Sequence, residues 1–202
     1  MVSALPAAGG LVEAALAVSA GIALAAAAGL RVFVPLLAAS AAAYLGHLDL
    51  APGAAWLGTA PALVALSVAA ALEVGAYFVP ALDHALDAIA TPLAVVAGIV
   101  VSAALFTDMP GYLRWALALI AGGGSAGLVQ GATTLLRLKS GLLTGGLGNP
   151  LVALAELAGA LILALLALLA PLLALALTAG LMLAAFRTAK RVAFGRARRL
   201  DE

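Results

Sequence analysis

Charged residues in this chain stand between long apolar runs rather than alternating with them. From Ala14 to Gly46 the only charge is Arg31. That run exceeds the roughly 20 residues of one comfortable membrane span. Three forms fit it: one long tilted helix, a helix broken near Gly29, or a tight hairpin of two short helices. His47 to Gly58 reads as a loop, marked by Asp49, Pro52 and Gly53. Pro61 to Val79 is a second element, interrupted by Glu73 and ended by Pro80. Ala81 to Asp87 (ALDHALD) reads as a short polar link, and Ala88 to Phe106 as a third element. After a turn at Thr107 to Gly111, Tyr112 to Leu136 forms a fourth element around Gly122, Gly123, Gly124 and Gly127. Arg137 to Pro150 reads as a glycine-rich loop. Leu151 to Phe186 is broken by Pro171 and predicts two spans.

Composition sets the class. The 202 residues are 66% hydrophobic and only 9% charged, against about 25% charged in an average soluble domain. The apolar runs are too long for β-barrel strands. The expectation is an all-α integral membrane protein of six to seven transmembrane elements. Residues 1–12 read as a flexible N-terminus, 13–187 as one transmembrane domain and 188–202 as a basic cytoplasmic tail. The N-terminus lacks the basic region of a cleavable signal peptide. With no cysteine, disulfides and thiolate metal sites are excluded. Arg187, Lys190, Arg191, Arg196, Arg198 and Arg199 crowd the tail, and Arg137 and Lys139 lie two spans earlier. Both segments are therefore expected in the cytoplasm, with the His47 to Gly58 loop outside. Tyr44, Trp56, Tyr112 and Trp115 then fall at the outer interface, where amphipathic rings belong. Arg114 lands there too, against the trend. The expected partner is the lipid bilayer, and exposed small-residue faces would allow a homodimer. No nucleic-acid partner and no cofactor are expected.

An internal echo divides the chain. SAGLV (Ser125 to Val129) repeats AAGLR (Ala27 to Arg31), and LGNPLVAL (Leu147 to Leu154) repeats LGTAPALVAL (Leu57 to Leu66). In the second pair a proline sits in the first helical turn, behind Thr59 or Asn149 as cap. The reading is two inverted three-element repeats, about 14–106 and 112–186, with a broken or re-entrant first element.

The runs AAAAGLRVFVPLL, LEVGAYFVPALDHALDAIATPLAVVAGIV, IAGGGSAGLVQGATTLLR and TGGLGNPLVALAE resemble a known family, domain-of-unknown-function family 4126 (DUF4126). The resemblance covers about residues 13–187. It implies a small bacterial polytopic protein of the inner membrane, and it implies no activity.

Few side chains at membrane depth can carry chemistry. A guanidinium near the bilayer centre costs about 2.5–3.5 kcal/mol on insertion scales and normally has a partner. Arg31 follows a small-residue face at Ala26 to Gly29 and precedes Pro35 by four residues. Glu73 is its first candidate partner and Glu156 its second. The pair is either a titratable element of a translocation path or a fixed structural ion pair. Gln130, with Thr133 and Thr134, could line the same path. TGGLGNP offers Gly145, Gly146, Gly148 and Asn149 at a helix N-terminus, either as an anion-binding loop or as a plain tight connection. Asp83 and Asp87, four apart beside His84, could hold a divalent cation, although a solvated or capping role fits two carboxylates better. No nucleophile–base pair, nucleotide loop or zinc site is present, so an enzyme is the least expected class. These features fit a small transporter or channel for an anionic or proton-coupled solute. The alternatives are a non-transporting scaffold and, third, a lipid-phosphate-modifying enzyme using Asp83 and Asp87.

Overall fold

A computed structural model describes the backbone of residues 8–76, 80–107, 109–145 and 147–197, and the side chains of residues 10–76, 89–107, 109–145 and 147–187. Among these the chain is all helical. The elements are α1 (Ala8–Ala28), α2 (Phe33–Tyr44), α3 (Ala60–Ala76), α4 (Pro80–Leu105), α5 (Gly111–Leu117), α6 (Gly124–Thr144), α7 (Asn149–Leu169) and α8 (Pro171–Ala197). A 3-10 turn (Ala55–Gly58) precedes α3, and a π-helical stretch (Ala118–Gly123) joins α5 to α6. Three stretches are long and apolar enough to cross a membrane: Gly10–Ala28, Gly111–Thr144 and Asn149–Leu169. Phe33–Tyr44, Ala60–Ala76, Ile89–Leu105 and Pro171–Arg187 are shorter apolar helices.

Of the three forms open to the first run, the chain adopts the hairpin. Ala17 and Ala20 of α1 share a cavity wall with Ala42, Leu45 and His47 at the far end of α2, so the two helices run antiparallel about an apex at Arg31. Helix α1 stops because Gly29 closes the last turn, its N–H reaching both Ala25 O (3.2 Å) and Ala26 O (3.1 Å). Pro35 does not kink a helix. It lies in the first turn of α2, where its missing N–H is not required.

Four other expectations are corrected. The ALDHALD segment is not a link, because α4 begins at Pro80 and runs through it; proline suits the first position of a helix. Residues 137–144 are not loop but the last two turns of α6, which ends where Gly145 takes a left-handed φ of 61°. Residues 8–12 belong to α1 rather than to a flexible N-terminus. Asn149 does not cap α7: Gly148 holds the cap position with no side-chain hydrogen bond, and Asn149 is the first helical residue. At the matching position before α3, Thr59 Oγ1 does accept the Ala62 amide, at 3.4 Å. Pro171 divides the last apolar run as expected, and it starts α8.

Helix α1 is the axis of the bundle and packs on α2, α4, α6, α7 and α8. Its Ala23 to Ala28 segment is wholly buried. Large apolar residues point outward instead, among them Val64, Val68 and Leu72 on α3 and Leu161, Ile162, Leu165 and Leu169 on α7. Small inside and large outside is a distribution a bilayer accepts, since lipid solvates leucine as well as another helix does. Close approach needs the glycines. A Cβ on Gly29 would overlap the Ala126 carbonyl oxygen, and one on Gly98 would lie 2.6 Å from Ala126 Cβ and 3.4 Å from Ala25 Cβ. These contacts set α1 and α6 side by side and parallel, with α4 antiparallel to both. Buried hydroxyls are satisfied by backbone: Ser102 Oγ donates to Gly21 O (3.0 Å) and Ser40 Oγ to Leu57 O (2.6 Å).

Candidate functional site: a buried charge cluster at the hairpin apex

When α1 ends at Gly29, the amides of Val32 and Phe33 have no helical carbonyl to reach. A side chain from α3 takes them. Val32 N–H donates to Glu73 Oε1 at 2.7 Å, and Phe33 N–H donates to Glu73 Oε2 at 3.0 Å. Glu73 therefore caps α2 from a different helix, and its carboxyl group sits at the positive end of the α2 dipole.

Arg31 stands between these amides and α7. It is 2% exposed. Its Nη2 donates to Ala153 O at 2.6 Å and lies 3.7 Å from Glu156 Oε2. Of the two expected carboxylates, Glu156 is thus the one in ion-pair range of Arg31, while Glu73 is held by backbone. Glu156 has a second and closer cation. Arg137 Nε donates to Glu156 Oε1 at 3.0 Å, and Arg137 Nη2 donates to Oε2. This forked geometry is the stronger kind of ion pair. Arg137 lies seven residues before the end of α6 and Glu156 seven after the start of α7, which is about 10 Å from the helix ends at the helical rise.

Arg137, expected in a loop, instead lies on the buried face of α6, which makes it a partner that the sequence reading does not name. One signal could have found it: Gln130, Thr133 and Arg137 follow helical spacing and share a buried face. Gln130 lies where α1 crosses α6, its backbone nitrogen 3.0 Å from a Cβ built on Gly29. The hydroxyls of Thr133 and Thr134 both donate to Gln130 O at 3.0 Å, so they serve their own helix.

Among the described residues Arg31 is the one charged side chain lining a cavity of about 270 Å³ formed with Val74 of α3 and Pro150, Leu151, Leu154 and Leu157 of α7. At the opposite end of α1 a cavity of about 540 Å³ is lined by Glu13, His47, Asp49 and Thr107 among apolar residues. The buried alanine segment of α1 lies between the two.

The remaining expected residues are placed as follows. Gly148 N–H donates to Thr144 Oγ1 at 2.9 Å, and Pro150 has no N–H. Leu147 N–H is taken too, by Thr144 O at 3.3 Å, so none of these three loop positions offers an N–H to an anion. Asn149 Oδ1 is buried with no hydrogen-bond partner among the described residues, and Gly146 lies outside the described residues. Asp83 and Asp87 fall one helical turn apart in α4, and their side chains lie outside the described residues. Among the described residues no three His, Asp or Glu side chains gather as a metal site would require.

A family described as a domain of unknown function, DUF4126, matches residues 18–191. The chain belongs to that family. No curated protein and no solved structure matches it. The matched span of this DUF4126 chain holds Arg31, Glu73, Arg137 and Glu156, and all of the helix packing that buries them.

Proposed function

We propose that this DUF4126 protein is a multi-pass inner-membrane transporter or channel for an anionic or proton-coupled solute, with the apex cluster as its centre. One observation carries the reading. Arg31, which is costly to bury in lipid, ends a cavity from one side of the bundle, while a second cavity approaches along α1 from the other. The contact from Arg31 to Glu156 is the loose one of the cluster, so it is the contact an anionic solute can replace. In this reading Gln130 lines the route at the α1–α6 crossing.

Membrane orientation follows the basic residues: α6 and α8 end in the cytoplasm, and the loop of residues 45–59 lies outside. Trp56, Arg114 and Trp115 line one shallow cavity at that outer end, which supports an aromatic interface there. The α1–α2 hairpin modifies the repeat. Because α1 adds one crossing, α1 and α6 run the same way while α3 and α7 run oppositely. An inverted pair would then be α2–α3–α4 and α6–α7–α8, with α1 outside the repeat and between its halves.

The competing reading is a non-transporting scaffold, favoured by the forked Arg137–Glu156 pair, which fixes α6 to α7 without need of a solute. Flux separates the two. Protein reconstituted in proteoliposomes should dissipate an imposed gradient of protons, chloride, phosphate or acetate faster than protein-free vesicles, and Arg31→Ala should abolish the difference. Rates equal to empty vesicles for all four probes would leave the scaffold standing.

A further inference from the structure

We propose that Glu73 is a proton-operated latch that holds the hairpin apex closed against α3. This rests on the transport reading and assigns its coupling ion, the proton. An ionised carboxylate is an acceptor only, so both Glu73 oxygens can take an amide, as they do from Val32 and Phe33. Uptake of one proton turns one oxygen into a donor. As a hydroxyl oxygen it is a far weaker acceptor than a carboxylate oxygen, so the bond it takes from its amide weakens and that tie opens more readily. The step is balanced: a hydronium ion breaks one O–H bond and returns to water, the carboxyl O–H forms, the carboxylate charge is neutralised and one N–H···O bond is weakened.

Among the described residues the charged groups facing Glu73 are Arg31 at the apex and Glu156 on α7, with Arg137 behind Glu156. Neutralising Glu73 removes one negative charge facing Arg31, while Glu156 is already engaged by the two hydrogen bonds from Arg137. The guanidinium then favours an incoming anion more strongly.

The element released is α3. Its buried residues are Ala70, Glu73 and Ala76, and Glu73 is its polar tie to α2 among the described residues. Val74, beside Glu73, and Leu157 of α7 line the Arg31 cavity and also a second cavity of about 670 Å³ between α2, α3 and α7. When α3 moves away, Val74 leaves that shared wall and the two spaces join at Arg31.

The test is amide exchange at Val32 and Phe33 in nanodiscs, expressed as protection factors so that the intrinsic pH dependence of exchange divides out. Wild type should protect both amides at about pH 8 and lose at least about tenfold of that protection by about pH 4.5. Glu73→Gln, whose amide nitrogen cannot accept, should show the low value at both pH values. The Leu24 amide, deep in α1, should stay protected throughout and so report an intact fold. Protection that does not change with pH in wild type overturns the latch, as does Glu73→Gln protection equal to wild type at about pH 8. Should Glu73→Gln fail to fold, the wild-type series with its Leu24 control decides alone. No solute enters this measurement. A pH-dependent latch without flux would therefore sink the transport reading and keep the latch, and flux without pH-dependent protection would do the reverse.

Discussion

At the scale of single residues, the cluster is unequal in a way that mutants can read. Glu156 holds Arg137 by two hydrogen bonds and Arg31 only at 3.7 Å. Arg137→Ala leaves a buried carboxylate with the loose contact alone, and should cost about 3–5 kcal/mol. Adding Glu156→Gln should recover much of that loss. Arg137→Lys should recover little, because an ammonium cannot copy the fork. Thermal unfolding of the four members of an Arg137/Glu156 double-mutant cycle measures the coupling. A parallel Arg31/Glu156 cycle should show a smaller but non-zero coupling, and an Arg31/Glu73 cycle the smallest. A coupling near zero for Arg137 and Glu156 would remove the cluster as described.

At the scale of elements, two glycines on neighbouring helices should behave oppositely. Gly29 packs on the backbone of α6, and an added methyl would overlap the Ala126 carbonyl oxygen and press on Val129. Backbone cannot yield as a flexible side chain can, so Gly29→Ala should destabilise by about 1–3 kcal/mol. Gly131, five residues after Ala126 on α6, has open space where its Cβ would go. Gly131→Ala should be neutral or stabilise by up to about 1 kcal/mol through helix propensity. Melting temperatures of the two variants in one detergent check both. Equal effects would mean that the α1–α6 contact is not the tight crossing inferred from the glycine positions.

At the scale of the whole molecule, the proposed topology has seven crossings, which would put the start of α1 and the end of α8 on opposite sides of the membrane. The absence of cysteine makes single-thiol mapping clean. A membrane-impermeant maleimide added outside intact cells should label Ala55→Cys in the loop before α3, and should spare Leu142→Cys at the exposed end of α6. Permeabilising the cells should expose the second site. The reverse pattern would invert the orientation, and the anion route with it.

The sequence by itself determined the class and most of the helices, because the free energy of placing a residue in lipid depends mainly on that residue. Arg31, Glu73 and Glu156 stood out for the same reason: a charge in an apolar run is visible without any partner. Boundaries set by local chemistry were also legible, as at Thr59 and Pro171. Pairing was not. Whether the first run turned back at Gly29, and whether Arg137 lay in a loop or on the buried face of α6, depended on groups far away in the chain. The amides freed at Val32 and Phe33 find their acceptor about forty residues later, and Arg137 finds its carboxylate 19 residues on. Such bonds form only once helices are packed, and no local pattern encodes which of several buried charges will meet. The tertiary structure alone gave Glu73 to the backbone and Glu156 to two arginines.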